Sequence, residues 1–113
     1  MHEISIAYEV INLAEREAKR NKVVTIKEIT IEVGDLSGIE ADAFGSALNL
    51  MVKDSILEQA AITIVRSPGK VLCNGCNYEF EMNHRMATCP KCGCFPSVIH
   101  GGDDFRVVSL IVE

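Results

Sequence analysis

Apolar residues recur at helical spacing along the start of the chain, then at every second position, then at helical spacing again. In residues 4–20, Ile6, Ala7, Val10, Ile11, Ala14 and Ala18 fall on one face, with Glu15, Glu17, Lys19 and Arg20 largely off it. That spacing predicts an amphipathic helix, which Asn21-Lys22 ends. In residues 24–33, Ile29, Ile31 and Val33 alternate with Glu28, Thr30 and Glu32. This is a strand with one wet face. Val24 and Ile26 sit on the other phase, so a bulge or a strand start is expected at Lys27-Glu28.

Gly34-Asp35 reads as a turn. Ser37-Gly38-Ile39-Glu40 fits a capping box opening a second helix, whose buried stripe is Ala41, Phe44, Leu48, Met51 and Val52. Gly45 weakens that helix and points to close packing there. Residues 61–65 form a second strand. Residues 105–112 form a last one, apolar on both faces (Val107 and Ile111; Val108 and Leu110), which predicts a central position in the sheet. Ser67-Pro68-Gly69-Lys70 and Gly101-Gly102 read as linkers around a cysteine module. The expected fold is α+β: a small mixed sheet of about three strands packed on two helices, with an inserted four-cysteine zinc-ribbon module. The expected domains are residues 1–68 with 103–113, and residues 69–102.

Composition sharpens this picture. The 113 residues suffice for one modest domain, or for a small domain with a metal-stapled appendage. Hydrophobic residues make up 48%, so a core is feasible, but aromatics are 5% and Trp is absent, so it must be aliphatic. The start of the chain lacks the basic region of a leader, and no run of about 18 apolar residues occurs. A cytoplasmic protein is expected. The net charge is −5. Residues 1–69 carry 11 acids against 7 bases, and residues 70–113 carry 5 against 4. Neither part offers the basic footprint of nucleic-acid binding, and no membrane association is expected.

All 5 cysteines lie between Cys73 and Cys94. An odd number, clustered in a chain without a leader, argues for metal rather than disulfides. Cys73-x2-Cys76 and Cys89-x2-Cys92 are two knuckles whose sulfurs can close a tetrahedron around zinc. Gly75 and Gly93 flank the second cysteine of each pair and are expected to supply turn conformations. The module's bulky apolar residues are Val71, Leu72, Tyr78, Phe80, Met82, Met86, Phe95, Val98 and Ile99. They are too few to hold it without the ion. A closed all-thiolate site is structural, and a redox Cys-x-x-Cys lacks its usual βαβ setting here. Cys94 is left over. It could replace Cys92 as ligand, add redox sensitivity, or be an ordinary small residue, the plainest reading.

Met1-His2-Glu3 would mean little alone, since a terminal histidine is usually just solvated. His2 is bulky, however, so the initiator Met is expected to stay. The chain then starts with an amine, an amide and an imidazole within reach of one ion. Such planar nitrogen donors suit Ni(II) or Cu(II). An open, proton-coupled site suits a carrier that must let go.

Four motifs in order, Met1-His2-Glu3, Gly34-Asp35-Leu36-Ser37-Gly38, Cys73-Asn74-Gly75-Cys76 and Cys89-Pro90-Lys91-Cys92-Gly93, span essentially the whole chain. Together they resemble the HypA/HybF family of hydrogenase maturation nickel metallochaperones. The resemblance implies nickel binding by the His2 side chain with backbone nitrogens of His2 and Glu3. It implies structural zinc on Cys73, Cys76, Cys89 and Cys92. It also implies transfer of nickel towards the large subunit of [NiFe]-hydrogenase with a HypB-type GTPase, and in some bacteria supply to urease maturation proteins. Two departures stand out. Cys94 lies where relatives often carry Ser, and Gly102-Asp103-Asp104-Phe105 replaces a more usual Gly-x-Glu-Leu. His84 is an extra nickel ligand only if the ribbon folds back on the N-terminus. A solvated loop is the plainer reading for it and for His100.

No Ser-His-Asp set, phosphate-binding loop or convincing carboxylate pair occurs, so no enzyme activity is expected. The rivals to a nickel carrier are a zinc-ribbon adaptor for protein or for nucleic acid, the latter disfavoured by the net charge of −5 and the few aromatics, and a redox sensor using Cys94 with a neighbouring thiol. A monomer or weak homodimer is expected.

Overall fold

The computed structural model describes residues 3–96 and 98–112. Eight elements follow in order: α1 (Glu3–Arg20), β1 (Ile26–Gly34), α2 (Ala41–Met51), β2 (Ala61–Ser67), β3 (Gly69–Leu72), β4 (Glu79–Met82), β5 (Val98–Gly101) and β6 (Phe105–Val112).

The first helix buries the face its spacing predicts: Ala7, Val10, Ile11, Ala14 and Ala18. It ends where expected. Lys22 turns to φ 57, Val23 N–H donates to Ala18 O at 3.0 Å, and the Asn21 side-chain amide donates to Glu17 O at 2.7 Å. These bonds occupy carbonyls that the last turn of a helix leaves open.

The larger sheet has the order β2-β1-β6 and is mixed, with β2 parallel and β6 antiparallel to β1. Ile29, Ile31 and Val33 of β1 join the α1 face, Phe44 and Leu48 of α2, and Leu57 in one aliphatic core. Phe44 meets Phe105 edge-on, with ring centroids 5.1 Å apart. The packing expected at Gly45 is present. A Cβ there would lie 3.1 Å from Ile64 Cδ1.

The central strand is β1, not the last strand as its two apolar faces suggested. The pairing of β1 with β6 slips between Thr30 and Ile31, which leaves Val108 as an extra residue on β6. The inward phase therefore changes from Phe105 and Val107 to Leu110, while Val108, Ile111 and Val112 are exposed. What looked like two buried faces is one face broken by a bulge. The bulge expected near Lys27 also occurs, as a slip between Ile26 and Glu28.

The capping box is corrected as well. The N-cap of α2 is Glu40, whose own carboxylate accepts Ala43 N–H at 2.6 Å. Ser37 instead closes a local turn by accepting Ile39 N–H at 3.2 Å. Side-chain oxygens two residues from an N–H form such turns readily, and here the turn outcompetes the cap.

A second sheet, antiparallel in the order β4-β3-β5, carries the cysteine module. The expected first linker shrinks to Pro68, because β2 runs to Ser67 and β3 starts at Gly69. Three backbone segments cross there. A Cβ on Gly34 would collide with Gly102 O, and one on Gly102 with Pro68 O, where φ is also 78°. The crossing is tied by Gly34 N–H to Asp104 O (2.8 Å), Leu36 N–H to Gly102 O (2.7 Å) and Asp35 N–H to Ser67 O (2.8 Å).

Candidate metal centre

The two cysteine knuckles are built alike. In the first, Cys73 N–H donates to Tyr78 O at 2.9 Å and Asn77 N–H to Cys73 O at 2.7 Å. In the second, Cys89 N–H donates to Cys94 O and Gly93 N–H to Cys89 O, both at 2.8 Å. The residue four past the first cysteine is left-handed in each, Asn77 at φ 61 and Gly93 at φ 79. Gly93 thus does what its sequence position suggests. Gly75 does not. The left-handed turn of the first knuckle belongs to Asn77, a residue that tolerates this conformation. A Cβ on Gly75 would make ordinary contacts of 3.6–3.8 Å with the sulfurs of Cys94, Cys73 and Cys92.

The structure brings all four predicted zinc ligands together. The sulfurs of Cys73, Cys76, Cys89 and Cys92 lie within 4.8 Å of one another. Cys73 and Cys92 approach to 3.4 Å, and Cys76 and Cys89 to 3.7 Å. Each close pair joins one knuckle to the other. In a tetrahedron, zinc–sulfur bonds of about 2.3 Å require corners about 3.8 Å apart. The spacing fits.

The acidity of the cluster points the same way. At Cys76 the Tyr78 backbone pulls the pKa down, but burial and the thiols of Cys89, Cys73 and Cys92 together push it up to about 12. At Cys89 burial works upward, yet the backbone of Cys92 and Lys91 and the neighbouring thiols bring it down to about 7. The shared hydrogen bonds thus push the two thiols in opposite directions. A dication overrides this by binding all four as thiolates. Cys73 and Cys89 are buried, while Cys76 and Cys92 are exposed. The Lys91 ammonium sits 4.9 Å from the Tyr78 ring centre, which ties the second knuckle to the first.

The ribbon's apolar core is smaller than the sequence suggested. Val71 and Met82 are buried, with Phe80, Ala87 and Ile99 packed on them, whereas Met86 and Phe95 are exposed. Its third buried member is Leu36, from the turn after β1. Arg85 reaches back and donates to Leu36 O at 2.7 Å. Sequence reasoning missed both residues. The available signal was a lone Leu amid the turn formers Gly34, Asp35, Ser37 and Gly38.

Met1 and His2, and with them the predicted nickel ligand, lie outside the described residues. Glu3 is the first residue of α1. Its carboxylate accepts Glu40 N–H at 3.2 Å, which ties the start of α1 to the cap of α2. A hydrogen bond from the chain's amino terminus, then the N–H groups of Glu40 and of Glu3 itself, hold this carboxyl down to about 2. Beside it runs an open apolar groove of about 510 Å³ lined by Glu3, Ile4, Ser5, Ala43, Ala47, Leu50 and Met51. Ile4 is 70% exposed there and Leu50 82%. His84 and His100 are exposed, and neither belongs to a metal-type cluster among the described residues. No described helix is long and apolar enough to cross a membrane.

The same arrangement exists in known proteins. Residues 1–112 match the HypA family, described as a metallochaperone for hydrogenase/urease nickel incorporation. A hydrogenase maturation factor HypA from Geobacter metallireducens is 35% identical over 113 residues, covering 100% of both chains. One from Alkalilimnicola ehrlichii is 32% identical over the full length of both. The solution structure of the Ni metallochaperone HypA from Helicobacter pylori superposes with a TM-score of 0.67 at 28% identity, over 99% of this chain and 97% of that one. The chain belongs to the HypA family of metallochaperones for nickel incorporation into hydrogenase and urease.

Proposed function

We propose that this chain carries Ni(II) at its amino terminus and hands it to the large subunit of a [NiFe]-hydrogenase, working with a HypB-type GTPase in the cytoplasm. The observation that carries this reading is the family match across residues 1–112, which includes the Met1-His2-Glu3 start. The His2 imidazole and the backbone nitrogens of His2 and Glu3 are the proposed nickel donors. The Glu3 carboxylate, bonded to Glu40 N–H, works as a tether rather than as a ligand. Nitrogen donors at a chain start exchange metal readily, because each step trades a donor for a proton or a stronger ligand. The thiolates of a hydrogenase precursor then draw the ion away. The apolar groove from Glu3 to Met51 gives a delivery partner a surface beside the cargo. Urease is a second candidate recipient.

In the same reading Cys73, Cys76, Cys89 and Cys92 hold structural zinc. Residues 1–68 with 103–113 act as the nickel unit, and residues 69–102 as the zinc unit.

Nickel titration of the zinc-loaded chain tests this. Wild type should bind one Ni(II) tightly. His2→Ala, and a variant extended before Met1, should each weaken binding at least about tenfold. Equal binding by all three would exclude the amino-terminal site and leave a zinc-clasped adaptor.

A further inference from the structure

The cysteine module holds five thiols for a four-ligand ion, and the fifth is well placed. The sulfurs of Cys94, Cys73 and Cys92 surround one point, the Cβ position of Gly75, at 3.6, 3.7 and 3.8 Å. Two of those three belong to the ion-sized cluster. Cys94 is exposed and its sulfur lies outside the four-sulfur cluster, but it borders the same point beside Gly75 as the sulfurs of two cluster members.

The knuckle repeat explains why Cys94 sits there. Cys94 occupies the position that Tyr78 holds in the first knuckle, with its carbonyl accepting Cys89 N–H at 2.8 Å. Its backbone is therefore fixed by the same turn that presents Cys89 and Cys92. What remains free is the rotation about its Cα–Cβ bond, which swings a sulfur by about 3 Å between staggered positions. The ligand it can best relieve is Cys92, in the same knuckle and likewise exposed, whereas Cys73 and Cys89 are buried.

We propose that Cys94 is a reserve zinc ligand that exchanges with Cys92. In the exchange the Zn–S bond to Cys92 breaks and a Zn–S bond to Cys94 forms. A proton passes from the Cys94 thiol to the released Cys92 thiolate. Zinc stays four-coordinate with four thiolates, and nothing is oxidised or reduced. This inference rests on the zinc reading of the four-cysteine cluster and is independent of nickel.

The test uses the full-length chain with cobalt(II), which takes the same tetrahedral thiolate sites as zinc and reports them by its sulfur-to-metal charge-transfer band. Cys92→Ser and Cys94→Ser should each keep the band of wild type. The double variant should lose about a quarter of it, one thiolate of four. Cys76→Ser, which has no reserve, should lose as much as the double variant. A Cys92→Ser chain that loses the band as Cys76→Ser does, or that fails to hold cobalt, overturns the proposal. A second measurement needs no variant. Zinc-loaded wild type, treated with limiting iodoacetamide and mapped, should carry the label on Cys92 in some molecules and Cys94 in others. Label on Cys94 alone overturns it. If wild type itself binds no cobalt or zinc, the zinc reading has failed first, and the two failures are distinguishable.

Discussion

The two sheets of this molecule are each three strands wide, yet they are held by different forces. The β2-β1-β6 sheet lies under two helices, and its core includes thirteen buried residues from α1, β1, α2 and the segment after it. The β4-β3-β5 sheet has three buried members, and one of them, Leu36, comes from outside the module. Burial scales with the apolar area removed from water, so the first layer supports itself and the second does not. What the second has instead is four sulfurs within 4.8 Å. Structural zinc binding is worth about 10–16 kcal/mol in small modules, more than such a core can supply. One half is cemented by side chains, and the other presents the ligands by which an ion would cement it. Glu3, which adjoins the proposed nickel ligand His2, begins α1 of the half that does not need a metal to fold.

The sharpest way to break this comparison is to remove the zinc. Cys73→Ser, or a strong chelator, should take bound zinc from about one per chain to near none and unfold β3 to β5, while the helical circular dichroism of α1 and α2 persists. Simultaneous loss of both signals would show that the layers are one cooperative unit. Next in size are paired core truncations. Phe44→Ala removes the ring that meets Phe105 edge-on and should cost about 3–5 kcal/mol of helical stability with zinc retained. Leu36→Ala should cost about 2–5 kcal/mol, read mainly as faster zinc loss from the ribbon. If Leu36→Ala lowers only the helical melting, the residue is misassigned to the ribbon core.

Much of this was legible because local chemistry decided it. The α1 face, the β1 alternation with its slip at Lys27, and the clustering of Cys73, Cys76, Cys89 and Cys92 all follow from periods and spacings along the chain. The misreadings share a different cause. The inward phase of β6 depends on an extra residue at Val108, which alternation cannot reveal because both neighbouring phases are apolar. The cap of α2 fell to Glu40 because Ser37 found a nearer donor in Ile39 N–H. Leu36 was hidden for a third reason. Its burial is set by Val71 and Met82, 35 and 46 positions along the chain, and no local pattern records such a partner. The proposal for Met1-His2-Glu3 rests on the donors of those residues and on the family resemblance, and Met1 and His2 lie outside the described residues.

A smaller effect sharpens the reading of the junction with α2. Glu40→Ala removes both the cap that accepts Ala43 N–H and the acidic charge at the helix start, and should cost about 1 kcal/mol. Ser37→Ala should cost less, since that hydroxyl closes only a local turn. Thermal melts of the two variants decide it, and a larger loss for Ser37→Ala would restore the capping box.

The smallest expected effect belongs to the pair that ties β6 to β1. Arg106 Nε donates to Glu32 Oε1 at 2.8 Å across the sheet. The bond to Arg106, then one to Ser67, holds the Glu32 carboxyl below its ordinary value. A carboxyl depressed in the folded chain adds stability that is fully present above its ordinary pKa. That stability is lost as pH falls through the lowered one. The pair is exposed and screened, so its contribution is slight. Zinc loss in acid would mask it in wild type alone, because protons compete for all four thiolates. The difference between wild type and Glu32→Gln removes that background. It should be constant near neutral pH and shrink as pH drops below about 4. The difference should be the same in chains stripped of zinc, because this pair sits wholly in the layer held by side chains. A difference that vanished on zinc removal would mean that the ion reaches across the glycine crossing to brace β6, and the two halves would no longer be separate in what holds them.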